Sequence, residues 1–431
     1  MSTGLAIFFA LVVIYGAVSV WLGRLSITMP IIFVIVGALA GPKGLVTAQS
    51  AELLVEMTLA LLLFADASTL TFRQVRDDPG PPARLLLIAL PLIIALGALV
   101  AYGLFPKDRI GSALLLAAIL APTDAALGLP IFNNPRVPVR VRRALNVESG
   151  LNDGIVTPLI ALFLALALAE GSRPVGDGWL LSALGAIGIG VAAGIMAGLL
   201  GGWLFAAAVK RGWTAVTGEQ IGNLALAMCA FSTAKALGGN GFIAAFVGGL
   251  LFGYATRERL HVATEFTETA GTLLSLFVWA AFGANLVPPL FQPFNPLSLL
   301  YALLSLTVIR MIPVAISMLG TRLRPDTTLL MGWFGPRGLA SVVFLLMAYE
   351  AFHEAGRGID LLVSAATWTI LLSAILHGVS AVPLANWYGC RLETAARDAP
   401  ELIDVPEMDV RRLDPLSWPK SHRHGAHEEP A

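Results

Sequence analysis

A polar motif opens the sixth long apolar run of this chain and reads Glu148-Ser149-Gly150-Leu151-Asn152-Asp153. On a helix, residues four apart are neighbours, which places the two acids, the amide and the hydroxyl on adjoining faces. An ionisable group near the centre of a bilayer costs at least about 2.5–3.5 kcal/mol, so such groups are retained mainly where they line an ion or proton path. The meaning of the motif therefore depends on whether its helix lies in a membrane.

The composition is that of a membrane protein. Hydrophobic residues make up 57% of the 431 residues and charged residues only 13%, against about 25% charged in soluble domains. The 43 glycines and 26 prolines agree with this class, since both residues are more frequent in transmembrane than in soluble helices. The formal net charge is zero, so nothing indicates a nucleic-acid partner. The two cysteines, Cys229 and Cys390, are too few for a disulfide framework or a thiolate metal site.

Apolar windows of transmembrane length recur along the whole chain and predict an all-α polytopic membrane protein with about thirteen helices. The predicted spans are 4–23, 29–47, 52–72, 84–105, 110–131, 143–169, 179–208, 217–236, 240–255, 263–289, 296–319, 326–350 and 360–387. The first span is interpreted as a retained helix rather than a signal peptide, because it has no basic segment before it and no clean cleavage site after it. The short pair on either side of Gly238 could also be one broken element.

Basic residues are concentrated in alternate loops. The loops after odd-numbered spans carry Arg24, Arg73, Arg76, Arg84, Arg136, Arg140, Arg142, Arg143, Lys210, Arg211, Arg257, Arg259, Arg322 and Arg324. The loops after even-numbered spans carry only Lys43, Lys107, Arg109, Arg173 and Arg357, with Lys235 near a helix end. The positive-inside rule places the basic loops in the cytoplasm, and so predicts an external N-terminus and a cytoplasmic C-terminus.

The same pattern divides the chain into a transmembrane domain over residues 1–390 and a short polar cytoplasmic tail over residues 391–431. The tail contains His422, His424 and His427. These histidines are interpreted as part of a disordered solvated segment rather than as a weak surface metal site.

Two spans are interrupted by proline or glycine next to a charge. The fifth contains Ala121-Pro122-Thr123-Asp124, and the twelfth contains Phe334-Gly335-Pro336-Arg337-Gly338. Proline removes a backbone donor, so the freed carbonyl groups near Thr123 need protein, water or an ion as a partner. A simple proline kink, with Asp124 bonded to a neighbouring helix, is the alternative interpretation.

The two interrupted spans lie seven apart in the series. Interrupted helices at matching positions of two halves are typical of inverted-repeat transporters, in which the broken helices cross. Crossed half-helices bring opposite dipole ends together. Asp124 is then expected to face the positive helix ends and Arg337 the negative ones.

Two further charged residues lie inside apolar spans. Asp66, in the third span, could be a wall of the site, a gate or a helix-end residue near the cytoplasmic face. Arg310, in the eleventh span, needs an anionic partner because an unpaired arginine in a bilayer is costly. Glu148 is the expected partner.

Together, the Glu-Ser-x-x-Asn-Asp motif, the Thr-Asp pair of the fifth span and the Gly-Pro-Arg-Gly interruption resemble the sodium/proton antiporters of the cation:proton antiporter superfamily. The resemblance covers residues 4–388 and is greatest to the electroneutral branch that includes bacterial NhaP-type antiporters and animal sodium/proton exchangers. It implies the NhaA-like antiporter fold and a homodimer, each subunit having a dimerisation part and a mobile core that holds the crossed helices.

The resemblance also implies roles for individual residues. Asp153 is the carboxylate that binds the cation or the proton, and Asn152 is the amide that replaces a second aspartate of electrogenic relatives. Ser149 and the Thr123 backbone join Asp153 as Na⁺ ligands. The remaining site residues are Asp124, acting through water or by holding the crossing, Asp66, at the position of a family acid in the third helix, and the structural ion pair of Glu148 with Arg310, with Arg337 as the second choice of partner.

The expected function is exchange of Na⁺ or Li⁺ for H⁺, with the two ions competing for Asp153, one for one, during alternating access. K⁺/H⁺ exchange on the same scaffold is the main alternative, because site size decides between these cations. An intramembrane aspartyl protease built on Asp124 and Asp153 is a remote one, since the surrounding motifs differ from that class. A channel is disfavoured because no ring-forming filter segment is visible. The chain is thus expected to be a transporter without a cofactor, not an enzyme, in the bacterial inner (plasma) membrane.

Overall fold

The computed structural model describes residues 2–24, 28–41, 48–69, 80–106, 109–171, 178–256, 261–291, 294–393 and 399–403. Every regular element within these ranges is helical, which confirms the all-α class. Several basic loop residues and the three tail histidines lie outside the described residues, namely Lys43, Arg73, Arg76, Lys107, Arg173, Arg257, Arg259, His422, His424 and His427.

Thirteen helices or interrupted helices follow one another in the described ranges. They are α1 (Ser2–Arg24), α2 (Met29–Ala40), α3 (Ala48–Thr69), α4 (Gly80–Leu104), α5a (Ile110–Ile119), α5b (Ala125–Phe132), α6 (Val139–Gly171), α7 (Trp179–Lys210), α8 (Val216–Ala236), α9 (Gly241–Thr256), α10 (His261–Asn285), α11a (Pro296–Leu306), α11b (Val308–Ser317), α12a (Pro325–Trp333), α12b (Leu339–Glu354) and α13 (Asp360–Leu392). Each coincides with one predicted span. Six uninterrupted or kinked helices of the described chain are long and apolar enough to cross a membrane, and four more are apolar but shorter. The number of crossings and the sides of the two termini remain predictions.

The short pair around Gly238 consists of two helices, α8 and α9. Gly238 has a φ of 79°, a left-handed conformation that glycine adopts without strain. The Asn240 side chain then accepts hydrogen bonds from the backbone N–H groups of Phe242 and Ile243, at 3.0 and 3.1 Å. This asparagine cap begins α9 as a separate element.

Two helices depart from regular α geometry in ways that were not predicted. Residues Leu85–Ala89 of α4 form a π-helical turn, closed by the Leu90 N–H donating to the Leu85 carbonyl oxygen. The next residue, Pro91, has no N–H to continue the α-helical pattern, which accounts for the wider turn. The eleventh span is divided at Thr307, whose hydroxyl donates to the Leu303 carbonyl oxygen at 2.6 Å.

The helices form two bundles. The first bundle contains α4, α5, α6, α11, α12 and α13, and the second bundle contains α2, α3 and α7 to α10. Helix α1 packs on the second bundle through Phe8, whose ring stacks on that of Phe277 in α10. Close packing in the second bundle depends on small residues: Cβ atoms built on Gly190, Gly194 and Gly198 of α7 would lie 2.5–2.7 Å from carbonyl oxygens of α9 and the residue before it. Small residues four apart let membrane helices approach at backbone distance.

A short 3₁₀ turn, Pro400–Leu402, packs against the first bundle after α13 has ended. Glu401 in this turn is fully buried. Arg140, in the first turn of α6, donates to the Pro400 carbonyl oxygen at 2.7 Å. The first part of the predicted tail is therefore attached to the helices that carry the candidate site.

Candidate functional site

The two interrupted helices meet at their non-helical segments. Residues 120–124 separate α5a from α5b, and residues 334–338 separate α12a from α12b. The backbone N–H of Asp124 donates to the carbonyl oxygen of Pro336 at 2.8 Å, which joins the two segments directly. Backbone groups that proline and glycine release from one helix thus find partners on the other.

Asp124 bonds to the N-termini of two half-helices. Its Oδ1 atom accepts from the Ala126 N–H of α5b at 2.7 Å, and its Oδ2 atom accepts from the Leu339 N–H of α12b at 3.1 Å. Both ends carry a positive partial charge, which the carboxylate neutralises. A Cβ atom on Gly338 would overlap the Asp124 carboxylate, so the last residue before α12b has to be glycine.

Arg337 lies at the opposite, negative end of a half-helix. Its Nη1 atom donates to the carbonyl oxygens of Ala121 and Pro122 at 2.8 and 3.4 Å, just beyond the C-terminus of α5a. The side chain is fully buried. The crossing therefore places an anion at the positive helix ends and a cation at a negative one.

Glu148 of α6 and Arg310 of α11b form a buried ion pair. The two guanidinium Nη atoms donate to the two carboxylate oxygens at 2.5 and 2.9 Å, and the side chains are only 1% and 2% exposed for Arg310 and Glu148. The arginine passes over the second interruption, where a Cβ atom on Gly335 would lie 2.5 Å from its Nε atom. The pair links α6 to α11 behind the crossing.

Three polar side chains of the motif helix and the first interruption form a hydrogen-bonded group. The Thr123 hydroxyl lies 3.0 Å from the Ser149 hydroxyl, and the Asn152 amide donates to the Thr123 hydroxyl oxygen at 2.6 Å. All three are buried. The bonds fix the interrupted segment of α5 against the face of α6 that also carries Asp153.

A cavity between the two bundles collects most of the predicted site residues. On the side of the first bundle its wall includes Thr123, Asp124, Ser149 and Asp153, and α3 contributes Asp66. Neither Glu148 nor Arg310 lines this cavity. Of the four acidic residues singled out from the sequence, three therefore line one cavity and the fourth, Glu148, is held in an ion pair.

The opposite wall contains residues that were not singled out from the sequence. Thr272, Ser275 and Trp279 of α10 line the cavity, with Leu59 and Leu62 of α3. The only sign of them in the sequence is that Thr272 and Ser275 place two hydroxyl groups three residues apart in an apolar span. They carry no charge, and such groups commonly bond to their own helix, as Ser275 does to the Thr272 carbonyl oxygen at 2.7 Å.

The position of Asp66 depends on close contact between α3 and α9. Cβ atoms on Gly249 and Gly253 would overlap the carbonyl oxygens of Phe64 and Ser68, the residues two before and two after the acid. Three residues before Gly249 in α9, Phe246 fills the space beside Gly154, next to Asp153. One helix of the second bundle thus sets the placement of both acids.

Comparison with known proteins agrees with this architecture. Residues 7–387 match the family described as sodium/hydrogen exchanger, transmembrane, and the chain belongs to this family. Its members are membrane transporters rather than enzymes, and they move ions without a cofactor.

Two curated relatives differ in the cation that their names specify. The chain is 25% identical over 430 residues to the K⁺/H⁺ antiporter NhaP2 of Shewanella oneidensis, covering 96% of this chain and 71% of that protein. It is 26% identical over 339 residues to a Na⁺/H⁺ antiporter of Schizosaccharomyces pombe, covering 70% of this chain and 71% of that one. Cation/proton antiport is common to both.

The fold is also that of a solved structure. The sodium proton antiporter MjNhaP1 of Methanocaldococcus jannaschii superposes with a TM-score of 0.73 at 20% identity, covering 90% of this chain and 99% of that chain. This confirms the antiporter fold that the sequence resemblance implied.

Proposed function

We propose that this cation/proton antiporter exchanges Na⁺ or Li⁺ for H⁺, and that the cation and the proton compete for Asp153. The observation that carries the proposal is that one cavity is lined by Asp153 and by two residues with hydroxyl groups, Thr123 and Ser149. A carboxylate that binds either ion gives exchange through one site, without a separate path for each.

The oxygen atoms around Asp153 suit a hard cation. Na⁺ prefers oxygen ligands, as the hard divalent cations do. Asp153, Ser149 and Thr123 are the proposed ligands, and their neighbour Asn152 turns its amide nitrogen toward Thr123. Asn152 does not itself line the cavity, so it acts on the proposed ligands through its bond to the Thr123 hydroxyl.

Glu148 does not take part in this exchange on the proposed mechanism. Its carboxylate is occupied by Arg310, so one carboxylate of the motif remains to release a proton when the cation binds. We infer electroneutral exchange of one cation for one proton. Asp124 holds the crossing through the two helix N-termini, and Asp66 forms part of the cavity wall.

Alternating access follows from the position of the cavity between the bundles. A bare carboxylate moved through an apolar barrier is costly, so occupancy of Asp153 by either ion is what permits the movement. The first bundle then rocks against the second around a fixed site. We further propose a homodimer in the bacterial plasma membrane, with the N-terminus outside and the C-terminus inside.

K⁺/H⁺ exchange is the second candidate. The name of the Shewanella oneidensis relative favours it, and the name of the Schizosaccharomyces pombe relative favours Na⁺. The same oxygen ligands serve either ion, and the size of the occupied site decides between them.

The test is dissipation of an imposed pH gradient in proteoliposomes on addition of Na⁺, Li⁺ or K⁺. We expect a response to Na⁺ and Li⁺ that Asp153→Asn abolishes while the protein remains folded. Glu354→Gln, which removes an exposed carboxylate at the end of α12b, is the matched control and should exchange as the wild type does. A response to K⁺ alone would change the substrate, and exchange by Asp153→Asn would overturn the role of this residue.

A further inference from the structure

His377 and Ser373 of α13 bond to the broken backbone of the second interrupted helix. His377 is 1% exposed and Ser373 is fully buried. The Nε2 atom of His377 lies 2.8 Å from the Trp333 carbonyl oxygen, at the end of α12a. The Ser373 hydroxyl oxygen accepts from the backbone N–H of Arg337 at 2.6 Å and lies 3.0 Å from His377 Nδ1.

Each ring nitrogen of His377 lies within hydrogen-bond distance of a carbonyl oxygen, because the Nδ1 atom is also 3.0 Å from the carbonyl oxygen of Ser373. A carbonyl oxygen can only accept, and the shorter of these two contacts is met when the Nε2 atom carries the ring hydrogen and donates to Trp333 at 2.8 Å. In the neutral ring the Nδ1 atom then accepts from the Ser373 hydroxyl, whose oxygen in turn accepts from Arg337. Each hydrogen has one acceptor, and the group runs without a gap from Trp333 to Arg337.

The bonds matter because the interruption leaves backbone groups of α12 without helical partners. The Trp333 carbonyl is at the negative end of α12a, where a donor such as the imidazole N–H is favourable. A second bond from the same residue, the Trp333 indole N–H to the Ser380 hydroxyl at 2.9 Å, also reaches α13. The imidazole packs against the indole, with ring centres 5.0 Å apart. Helix α13 therefore acts as a support for residues 333–337.

The support continues to the proposed cation site through short, direct contacts. Pro336, next to Arg337, accepts the backbone N–H of Asp124. The residue before Asp124 is Thr123, which is bonded to Ser149 and Asn152. A shift of residues 333–337 is therefore transmitted to the oxygen atoms that face the cavity.

We propose that His377 is a positioning residue for ion exchange, which acts through Ser373 and the backbone of residues 333–337 to hold the cation ligands in place. It does not touch the cation, since it does not line the cavity. The inference rests on the proposed cation site at Asp153.

The experiment compares two replacements that separate ring packing from hydrogen bonding. His377→Phe keeps an aromatic ring against Trp333 and loses both hydrogen bonds, whereas His377→Gln keeps an N–H donor and an acceptor. His353→Gln, in the exposed last turn of α12b, is the control. The readouts are the KM for the most effective cation, the maximal exchange rate and the Tm in detergent.

We expect His377→Phe to raise the KM for the cation about tenfold, which corresponds to about 1.4 kcal/mol and lies within the range for the loss of two neutral hydrogen bonds. His377→Gln should remain within about threefold of the wild type, by the same estimate for one weakened bond. Ser373→Ala should raise the KM as well, and its effect should not add to that of His377→Phe, because both act through one group.

A wild-type KM in His377→Phe would overturn the inference. So would a lower Tm and maximal rate in both His377 variants with no change in KM, because that is the behaviour of a residue that only stabilises the fold. Exchange by Asp153→Asn would instead overturn the proposed cation site, so the two failures are distinguishable.

Discussion

The ion pair of Glu148 with Arg310 shows how one residue of the motif is set apart from the others. Two ions taken out of water are stable together only when their hydrogen bonds are satisfied, and removal of one leaves an uncompensated buried charge. Glu148 has that satisfied geometry on both carboxylate oxygens. Asp153, five residues later, faces the cavity instead. This difference in surroundings is the basis on which we propose a structural role for Glu148 and a transport role for Asp153.

We expect Glu148→Ala to destabilise the protein by about 3–5 kcal/mol, because Arg310 would remain buried without its partner. The measurement is the midpoint of thermal unfolding in detergent, followed by the tryptophan fluorescence of the purified protein. The double variant Glu148→Leu with Arg310→Met removes both charges and should recover most of the lost stability.

A stable and inactive Glu148→Ala protein would contradict the structural role. It would show that Glu148 binds an ion during transport. A double variant as unstable as the single one would show that shape rather than charge holds α6 and α11b together at this point.

At the scale of the helix, α12a receives its N-terminal cap from a distant part of the chain. Its own cap residue, Arg324, accepts no hydrogen bond from the first-turn N–H groups with its side chain, and its guanidinium instead donates to the Asp326 carboxylate at 3.0 and 2.8 Å. The carboxylate of Glu401 instead accepts from the Arg324 N–H at 2.6 Å and from the Thr327 hydroxyl at 2.8 Å. Thr327 is also 2.9 Å from the Tyr388 hydroxyl of α13. The turn after α13 thus completes α12a, the first half of the second interrupted helix.

We expect Glu401→Ala to lower the free energy of unfolding by about 0.5–2 kcal/mol, the range for loss of an N-cap acceptor. Thermal unfolding in detergent measures this effect. Glu393→Ala, an exposed carboxylate at the end of α13, is the matched control and should change stability by less than about 0.5 kcal/mol. Equal stability of the two variants would mean that the turn does not cap α12a.

The sequence could predict the interruptions of α5 and α12 because proline, glycine and a charge break an apolar pattern locally. It could not predict the division of α11 at Thr307 or the π-turn of α4, since each depends on one residue in an otherwise regular run. The attachment of Glu401 to α12a joins residues 74 to 77 positions apart. Contacts at such separations leave no trace in local composition.

The same reasoning explains which site residues could be predicted from the sequence. Charged residues in apolar spans are costly and rare, so Asp66, Asp124, Asp153 and Arg310 were visible without a structure. Hydroxyl groups are common in membrane helices and often bond to their own backbone. Ser373 and Thr272 were therefore indistinguishable from ordinary helix residues until their contacts were known, whereas His377, an ionisable residue in an apolar span, could have been singled out by the same rule as the acids.

At the scale of the molecule, the position of the cavity connects the fold to transport. The first bundle contributes Asp153 and the crossing, and the second contributes Asp66 and the α10 wall with Thr272. On the proposed mechanism, relative movement of the bundles changes the surroundings of Asp153, while the mutually hydrogen-bonded Thr123, Ser149 and Asn152 stay on the same bundle as Asp153. A bound ion can thus keep its main ligands while access changes sides.

The charge that moves with the first bundle decides the stoichiometry. Glu148 and Arg310 move as a neutral pair, Asn152 carries no charge, and Asp153 is neutralised by either one cation or one proton. We therefore expect one cation to exchange for one proton with no net charge transferred. The measurement is the zero-flux condition of wild-type proteoliposomes that contain fixed pH and cation gradients. The membrane potential is set independently by a gradient of a permeant anion.

For one-for-one exchange, net flux should vanish when the cation gradient equals the proton gradient, whatever potential is imposed. Two protons per cation would shift the zero-flux point with potential, because each cycle would move one charge, which is worth about 2.3 kcal/mol per 100 mV. Such a shift would contradict the one-for-one mechanism and would require a second titrating group. In that case Asp66 and Asp124, the other two acids that line the cavity, would be the first to replace.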